Sequence, residues 1–401
     1  MTPDLQRLFE QGLLVRPTHE QPNVVHLVRA LATLTGVSEI ESPPATRGIA
    51  DVIGAADHLI FVLCDGLGMN TLARLPQQSS FLARHYKMTL NATCPSTTAC
   101  ALTSIATASY PNQHGVTGWF THLPELEITI LPLPFVERFS KQWLTERGLR
   151  PEDLFPLRAI EARMSHQPIT LLPAPIMDTS FARYSRGHTR GLGYRSIPHA
   201  IDKIIAHING AKGPTYTHLY LPDIDTVCHH LGVEHPNVVN VVMRIDAELD
   251  RLSAALGERA RVVVSADHGL IDVLTSDQAF LTDADPMLAM LRVPPTGDAR
   301  MPIFHVKPDL REQFVDLFGE RYGDRMILLE TGEAERLELF GPGKMAQRVR
   351  PRFGDFIAIP YRRATLAYGP VSVPGAAPAA PYIGQHAGLS PEEMRVPLCV
   401  A

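Results

Sequence analysis

The amino-acid sequence predicts an α/β fold in which a mostly parallel central sheet is covered by helices on both faces. Short apolar runs bounded by turn residues have the composition of buried strands: HLIFVLC (58–64), THLYL (217–221), RVVVSA (261–266) and FIAIP (356–360). Patterns with helical spacing lie between these runs. Strands that alternate with helices in this way form βαβ units, which build parallel sheets.

The clearest helical pattern covers residues 238–256. Its apolar residues are spaced by four, three, four, three and four positions: Val238, Val242, Ile245, Leu249, Leu252 and Leu256. This spacing places all of them on one stripe of a helix, and such a stripe packs against a core.

The chain of 401 residues is long enough for one large domain with insertions or for two domains, since a typical domain has about 150 residues. Residues 272–350 mix the strand-like run MPIFHV (301–306) with polar helical stretches, so we predict an inserted cap there. Residues 1–271 and 351–401 would then form the α/β core. Residues 120–195 are a candidate for a second insertion.

Composition and charge exclude several classes of protein. Hydrophobic residues make up 45% and charged residues 20% of the chain, which is typical of a globular protein and not of a disordered one. The net charge is −5 and no basic run is dense enough to follow a phosphate backbone, so we expect no binding to bulk nucleic acid. No apolar run approaches the roughly 18 residues of a membrane span, and we expect no membrane partner.

The N-terminus and the cysteines bear on location. The first residues lack the basic region and apolar segment of a secretory signal. The cysteines are odd in number and scattered, which favours reduced thiols over a disulfide framework: Cys64, Cys94, Cys100, Cys228 and Cys399. We therefore expect a cytoplasmic protein.

Carboxylates follow three of the predicted strands. Asp65 comes directly after the first run, Asp225 lies four residues after the second, and Asp267 comes directly after the third. Ligands of open α/β sheets bind outside the carboxyl ends of the strands, so we expect these three side chains to converge on one crevice. Like charges that converge require a cation, because otherwise their repulsion would cost stability.

Histidines accompany two of these carboxylates. Asp225 and His229 are four residues apart, so one helical turn can direct both at one ion, and His268 directly follows Asp267. Aspartate and histidine together suit zinc or manganese. Either pair alone is also compatible with a surface salt bridge or a cap at a strand end. Both pairs at strand ends, with Asp65 at a third, favour a metal site.

The segment CPSTTACALTS (94–104) predicts a loop that enters a helix. Its hydroxyl residues Ser96, Thr97 and Thr98 are compatible with an ordinary N-cap. The functional alternative is a nucleophilic hydroxyl at a helix N-terminus, where free N–H groups bind a phosphoryl anion. Such a hydroxyl needs a base or a metal to act as a nucleophile.

Several motifs occur in the order found in a known family. They are FVLCDGLG, PSTTACALTSIATASYPNQHGVTGW, YLPDIDTVCHHLG, VVVSADHGL and GQHAGLSPEEM, within residues 58–270 and 380–398. In these motifs the sequence resembles the alkaline phosphatase superfamily, and most closely its nucleotide pyrophosphatase/phosphodiesterase branch. The resemblance implies an alkaline phosphatase-like core with two divalent metal ions, zinc or manganese.

The resemblance also assigns residues to the two metal sites. One site would be formed by Asp65, Thr98, Asp267 and His268, and the other by Asp225, His229 and His386. Thr98 is chosen over its neighbours by counting back from the YPNQHG segment (110–115). The chain departs from the family at Cys228 and Ala387, which replace glycines, and at Ala101, which replaces an asparagine of the nucleotide-cleaving members.

The resemblance implies a metal-dependent phosphodiesterase or nucleotide pyrophosphatase that acts on a small-molecule phosphate ester. Thr98 would be its nucleophile in a double displacement. Two alternatives stay open at this point: a phosphate monoesterase or phosphonate hydrolase on the same scaffold, and a catalytically idle metal-binding homologue.

Overall fold

A computed structural model describes residues 5–76, 80–369 and 382–401. Its strands, in chain order, are β1 (His58–Cys64), β2 (Tyr86–Asn91), β3 (Thr121–Leu123), β4 (Ile128–Leu131), β5 (Val136–Glu137), β6 (Gln167–Pro173), β7 (Arg190–Tyr194), β8 (Thr215–Leu221), β9 (Ala260–Ser265), β10 (Ile271–Asp272), β11 (Gln278–Leu281), β12 (Leu291–Asp298), β13 (Met301–Val306), β14 (Met326–Glu330), β15 (Phe356–Pro360), β16 (Thr365–Tyr368), β17 (Gly384–Gln385) and β18 (Arg395–Val400).

The α-helices of the described residues are α1 (Leu5–Glu10), α2 (Val24–Leu34), α3 (Pro44–Ile53), α4 (Met69–Leu72), α5 (Phe81–His85), α6 (Thr98–Thr107), α7 (Pro111–His114), α8 (Pro151–Leu154), α9 (Ser180–Ser185), α10 (Ile197–Asn209), α11 (Asp223–Leu231), α12 (Pro236–Leu256), α13 (Pro286–Ala289), α14 (Arg311–Tyr322), α15 (Thr331–Arg336) and α16 (Pro391–Met394).

The central sheet has seven strands in the order β2-β18-β9-β1-β8-β6-β7. β1 pairs in parallel with β8 and β9, and β6 pairs in parallel with β7 and β8. β18 is antiparallel to both of its neighbours. The predicted fold class, a mostly parallel sheet between helices, is therefore confirmed.

The strand register aligns the ends of the three middle strands. Cys64 lies opposite Leu221 of β8, and Leu63 lies opposite Ser265 of β9. Asp65 and the residues that follow β8 and β9 consequently leave the sheet at the same edge. β1 is buried at all but its first residue, as expected for a parallel strand with helices on both faces.

The predicted apolar stripe of residues 238–256 lies on α12 and is buried along its whole length. Asp246 of this helix is buried as well, and its carboxylate accepts hydrogen bonds from the backbone N–H groups of Phe81 and Leu82. Because these groups belong to the first turn of α5, a side chain of α12 caps the N-terminus of α5.

A second, four-stranded sheet has the order β12-β13-β15-β14. It occupies the predicted cap, but it extends past residue 350, because β15 pairs antiparallel with β13 and β14. The run FIAIP is thus a buried strand, as its composition indicates, and its partners lie in the smaller sheet and not in the central one. Residues 120–195 hold a further three-stranded sheet, β3-β4-β5.

Two other features bear on the expectations from the sequence. All five cysteines are free and buried. Among residues 5–76, 80–369 and 382–401, no helix has the length and apolar character needed to cross a bilayer.

Candidate metal centre

The site lies at the carboxyl ends of β1, β8 and β9. The backbone N–H of Asp65 donates to Leu221 O at 2.9 Å, so the chain turns away from β1 beside the end of β8. Gly66 follows with a φ of +78°, and a Cβ atom there would lie 3.0 Å from the Asp225 Cα. Only glycine allows this close approach without strain, which brings the Asp65 and Asp225 backbones together.

One group of side chains surrounds His268. Its Nε2 atom lies 3.5 Å from Asp65 Oδ1, 3.5 Å from Asp267 Oδ2 and 3.1 Å from Thr98 Oγ1. The other ring nitrogen, Nδ1, is 3.1 Å from the carbonyl oxygen of Gly269. A proton on Nδ1 therefore leaves the Nε2 lone pair directed at the acidic groups, which is the arrangement of a histidine metal ligand.

The second group is built around Asp225. His229 Nε2 lies 3.2 Å from Asp225 Oδ1, and His386 Nε2 lies 3.8 Å from the same oxygen. Asp225 and His229 are both on α11, one turn apart. The Nδ1 atom of His229 is 2.7 Å from Gly384 O, so this carbonyl orients the ring as Gly269 orients His268.

The structure brings all seven predicted site residues together, including His386 from the C-terminal segment. β17 pairs with β10, which places Gln385 opposite Ile271, close behind the loop that carries His268. The rings of His386 and His268 stack with centroids 3.9 Å apart. The two groups are therefore contiguous, and His268 is within ligand reach of the Asp225 and His386 pair as well as of Asp65 and Asp267.

The charges of the site are strongly perturbed. Burial, and then the charges of Asp267 and Asp225, raise the pKa of Asp65 well above its usual value. Burial also raises the pKa of Asp267. For His386, burial lowers the pKa. Crowded carboxylates and an uncharged imidazole are the electrostatic pattern that a divalent cation relieves.

Unpaired buried atoms point to the same conclusion. Among the described residues, Asp65 Oδ1, Asp225 Oδ1, Asp267 Oδ2 and His386 Nδ1 are buried and have no partner in hydrogen-bonding geometry, although His229 Nε2 lies 3.2 Å from Asp225 Oδ1. The other oxygen of Asp65 accepts a hydrogen bond from the Tyr220 hydroxyl, which fixes the carboxylate. Buried polar atoms are normally satisfied, so a cluster of unpaired oxygens and a ring nitrogen has the chemistry of a divalent-cation site. Aspartate oxygens with histidine nitrogens fit zinc or manganese.

The three hydroxyls before α6 have different environments. Ser96 Oγ donates to the Gly388 carbonyl at 2.7 Å. Thr97 is the N-cap residue of α6, but its side chain does not cap the helix and instead hydrogen-bonds Asp298. Thr98 is the first residue of α6, and its hydroxyl faces His268. Of the three, Thr98 is the one whose oxygen contacts a predicted metal ligand, His268.

Sequence reasoning missed three residues at the site. Tyr220 is the penultimate residue of β8 and resembles any other apolar strand position. Tyr382 places its ring 4.6 Å from that of His229. Asp298 ends β12, and the GDAR segment around it reads as an ordinary hairpin turn. No local pattern distinguishes these residues, because their role depends on contacts between distant segments.

A buried ion pair fastens the His386 loop to the small sheet. Arg300 Nε and Nη2 donate to the two carboxylate oxygens of Glu393 at 2.6 and 2.7 Å. Glu393 also accepts the N–H of Gly388 at 2.8 Å. The two charges form a bidentate pair, and the Glu393 carboxylate accepts a further hydrogen bond. Burial of this pair is therefore compatible with stability. The ion pair with Arg300 and the hydrogen bond from Gly388 together connect the loop that carries His386 to the small sheet.

The fold and the site define a hydrolase of the alkaline phosphatase superfamily, acting on phosphoric ester bonds. Within it, the chain belongs to the type I phosphodiesterase / nucleotide pyrophosphatase family, whose model matches residues 59–373. The resemblance noted in the sequence is thereby confirmed. Enzymes of this family typically use two divalent metal ions.

Solved structures share the fold at low identity. Murine ectonucleotide pyrophosphatase / phosphodiesterase 5 is 15% identical, with a TM-score of 0.62 over 85% of this chain and 87% of that one. An inactive threonine-to-alanine variant of the murine protein in complex with AMP gives the same values. The human counterpart is 14% identical, with a TM-score of 0.64 over 85% and 87% of the two chains. A search of curated proteins finds no match.

Proposed function

We propose that the protein is a metal-dependent phosphodiesterase that uses Thr98 as its nucleophile in a double displacement. The observation that carries this proposal is the position of Thr98 Oγ1, 3.1 Å from His268 Nε2, which itself lies 3.5 Å from unpaired oxygens of Asp65 and Asp267. Asp65, Thr98, Asp267 and His268 would hold one divalent ion. Asp225, His229 and His386 would hold the other.

Two bound ions supply the positive charge that lowers the pKa of a hydroxyl and stabilises a departing oxygen. Thr98 Oγ then attacks phosphorus, the bond from phosphorus to the leaving oxygen breaks, and a phosphothreonine forms as the alcohol leaves. Water attacks the same phosphorus in the second step and restores the Thr98 hydroxyl. The overall result is hydrolysis of one ester bond.

The backbone of α6 supports the phosphoryl group. Thr98 is the first residue of this helix, and the side chain of the N-cap residue Thr97 makes no capping hydrogen bond. The N–H groups of that turn are therefore free to donate to phosphoryl oxygens, and the helix dipole favours the negative charge. This arrangement binds an anion without a lysine or arginine.

A diester is the substrate class that this charge distribution favours. Residues 64–71, 91–120 and 219–242, which contain the core motifs, have no Lys or Arg. A phosphate diester carries one negative charge, whereas a monoester carries nearly two and usually requires an additional cationic side chain. The murine relative bound to AMP indicates a nucleotide as one candidate for the ester.

A substrate screen tests the proposal. The protein is treated with a chelator, reloaded with zinc or manganese, and assayed with bis-p-nitrophenyl phosphate, a p-nitrophenyl nucleotide diester, p-nitrophenyl phosphate and a phosphonate ester. We expect metal-dependent turnover of the diesters. A tenfold or greater preference for p-nitrophenyl phosphate would support the monoesterase alternative instead. Bound zinc without turnover of any ester would support the idle metal-binding homologue.

A further inference from the structure

Asp298, a carboxylate of the predicted cap, contacts the loop that precedes the proposed nucleophile Thr98. Asp298 is the last residue of β12, and its Oδ2 accepts a hydrogen bond from the Trp119 N–H at 2.9 Å. The Thr97 side chain hydrogen-bonds the same carboxylate. Since Thr97 directly precedes Thr98, Asp298 contacts the immediate neighbour of the proposed nucleophile, although Asp298 belongs to β12 and Thr98 to α6.

The surrounding backbone is shaped to hold this carboxylate. Gly118 has a φ of +150°, and a Cβ atom there would lie only 2.7 Å from Asp298 Oδ2. Phe120 and Gly297 exchange two backbone hydrogen bonds of 3.0 and 2.7 Å, which fasten the hairpin beside the segment that follows α7. Asp298 is therefore fixed by its neighbours and not free to turn into solvent.

The charge of Asp298 is directed at the site. Burial raises its pKa to about 6, against hydrogen bonds from Trp119 and Thr97 that lower it, so the carboxyl is mostly ionised at neutral pH. In the part of the chain that the structure describes, the salt bridges at the site join histidines to Asp65, Asp225 and Asp267, and none of them includes Asp298.

We propose that Asp298 is a specificity-determining residue that selects substrates by the charge of the phosphoryl group. The proposal rests on the function proposed above. A phosphorus atom in line with Thr98 Oγ lies close to the Thr97 and Asp298 pair, where the negative carboxylate repels phosphoryl oxygens. The repulsion is about twice as large for a dianionic monoester as for a monoanionic diester, because it scales with the substrate charge.

Two substrates of similar size separate the effect of phosphoryl charge from the effect of substrate size. p-Nitrophenyl phosphate and p-nitrophenyl methylphosphonate share their leaving group, and they differ in that one charged oxygen is replaced by a methyl group. The test variant is Asp298→Asn, whose amide oxygen can still accept the Trp119 N–H. The matched control is Asp309→Asn, which removes an exposed carboxylate of the same cap.

We expect Asp298→Asn to raise kcat/KM for the phosphate relative to the methylphosphonate by about tenfold, which corresponds to about 1.4 kcal/mol. The control should leave this ratio unchanged. An unchanged ratio in a folded, zinc-loaded Asp298→Asn protein would overturn the proposal. If that variant does not fold, Asp298→Ser replaces it, since its hydroxyl is small and polar and carries no charge.

A binding measurement separates this inference from the proposed function. Trp119 is 37% exposed beside Asp298, and Trp143 is the other tryptophan of the chain, so Trp143→Phe leaves one fluorescent reporter at the site. In this background the zinc-loaded protein is titrated with orthophosphate or dimethyl phosphate. Asp298→Asn should bind orthophosphate about tenfold more tightly relative to dimethyl phosphate.

The outcomes are distinguishable. If the zinc-loaded protein hydrolyses no ester but Asp298→Asn still binds orthophosphate more tightly, the proposed function fails and the charge selection by Asp298 stands. If diesters are hydrolysed as proposed and neither the kinetic ratio nor the binding ratio changes, the role of Asp298 is wrong.

Discussion

The Ser96 hydroxyl donates a hydrogen bond of 2.7 Å to the carbonyl of Gly388, across 292 residues of sequence. An isolated β-bridge between Ser96 and Ala387 lies beside it. Thr98 follows Ser96 by two residues, and His386 precedes Gly388 by two. This contact therefore couples the loop of the proposed nucleophile to the loop of the last predicted metal ligand.

Ser96→Ala tests this coupling. The variant loses one buried hydrogen bond, so we expect its free energy of unfolding to fall by about 1 kcal/mol. It keeps Thr98, and its activity at saturating zinc should stay within about tenfold of the original, because no group that reacts is removed. Half-maximal activity should require a higher zinc concentration, measured by zinc titration of the apoprotein. A zinc requirement identical to that of the unchanged protein would contradict the coupling.

Thr98→Ala tests the nucleophile. Six of the predicted ligands remain, so metal content should decrease only modestly, while turnover should fall by several orders of magnitude because the attacking oxygen is lost. Thr97→Ala is the matched control, since it removes the neighbouring hydroxyl and leaves Thr98. Metal content and kcat are measured on the same preparations. An active Thr98→Ala protein beside an inactive Thr97→Ala protein would assign the nucleophile to Thr97.

Local pattern was sufficient to predict much of this molecule. The runs that form β1, β8 and β9 are continuous and apolar, so their strand character and the Asp residues at their ends can be read directly. The stripe on α12 is equally plain. The run FIAIP has the same character, but sheet membership depends on distant partners, and β15 pairs with cap strands.

Other parts of the site depend on contacts that no local pattern encodes. His386 could be named only through the family resemblance, because a single histidine in a loop rich in glycine and proline carries no periodic signal. Tyr220 and Asp298 had no signal at all. Their positions at the site arise from a hydroxyl directed at Asp65 and from a hairpin that pairs with Phe120.

A buried histidine predicts the response of the fold to acid. Burial lowers the pKa of His114 to about 3, and its neutral ring pairs with Ser104 at 2.9 Å and accepts the Val116 N–H at 3.1 Å. The unfolded chain binds a proton near pH 6.5 and the folded chain does not, so the stability due to this residue falls as the pH drops below 6.5. At pH 5 the loss is about 2 kcal/mol.

Urea unfolding at pH 7.5, 6 and 5 measures this loss. His114→Asn keeps an acceptor for Val116 but has no titrating ring. Its free energy of unfolding should therefore fall by about 2 kcal/mol less on going to pH 5 than that of the unchanged protein. His188→Asn is the control, because His188 is exposed and has a φ of +59°, which asparagine tolerates. An acid dependence that His114→Asn leaves unchanged would assign the effect to other groups.

Metal removal should affect both activity and stability. Without a cation, Asp65, Asp225 and Asp267 converge with unpaired buried oxygens, and their mutual repulsion adds to the cost of burial. Chelation should therefore abolish ester hydrolysis and lower the Tm, and zinc or manganese should restore both, because a ligand that binds only the folded state stabilises it. Tm, metal content and diester turnover are measured before chelation, after it and after reloading. A chelated protein that hydrolyses aryl phosphodiesters at the original rate would contradict the two-metal mechanism, since Thr98 would then react without the charge that the mechanism requires.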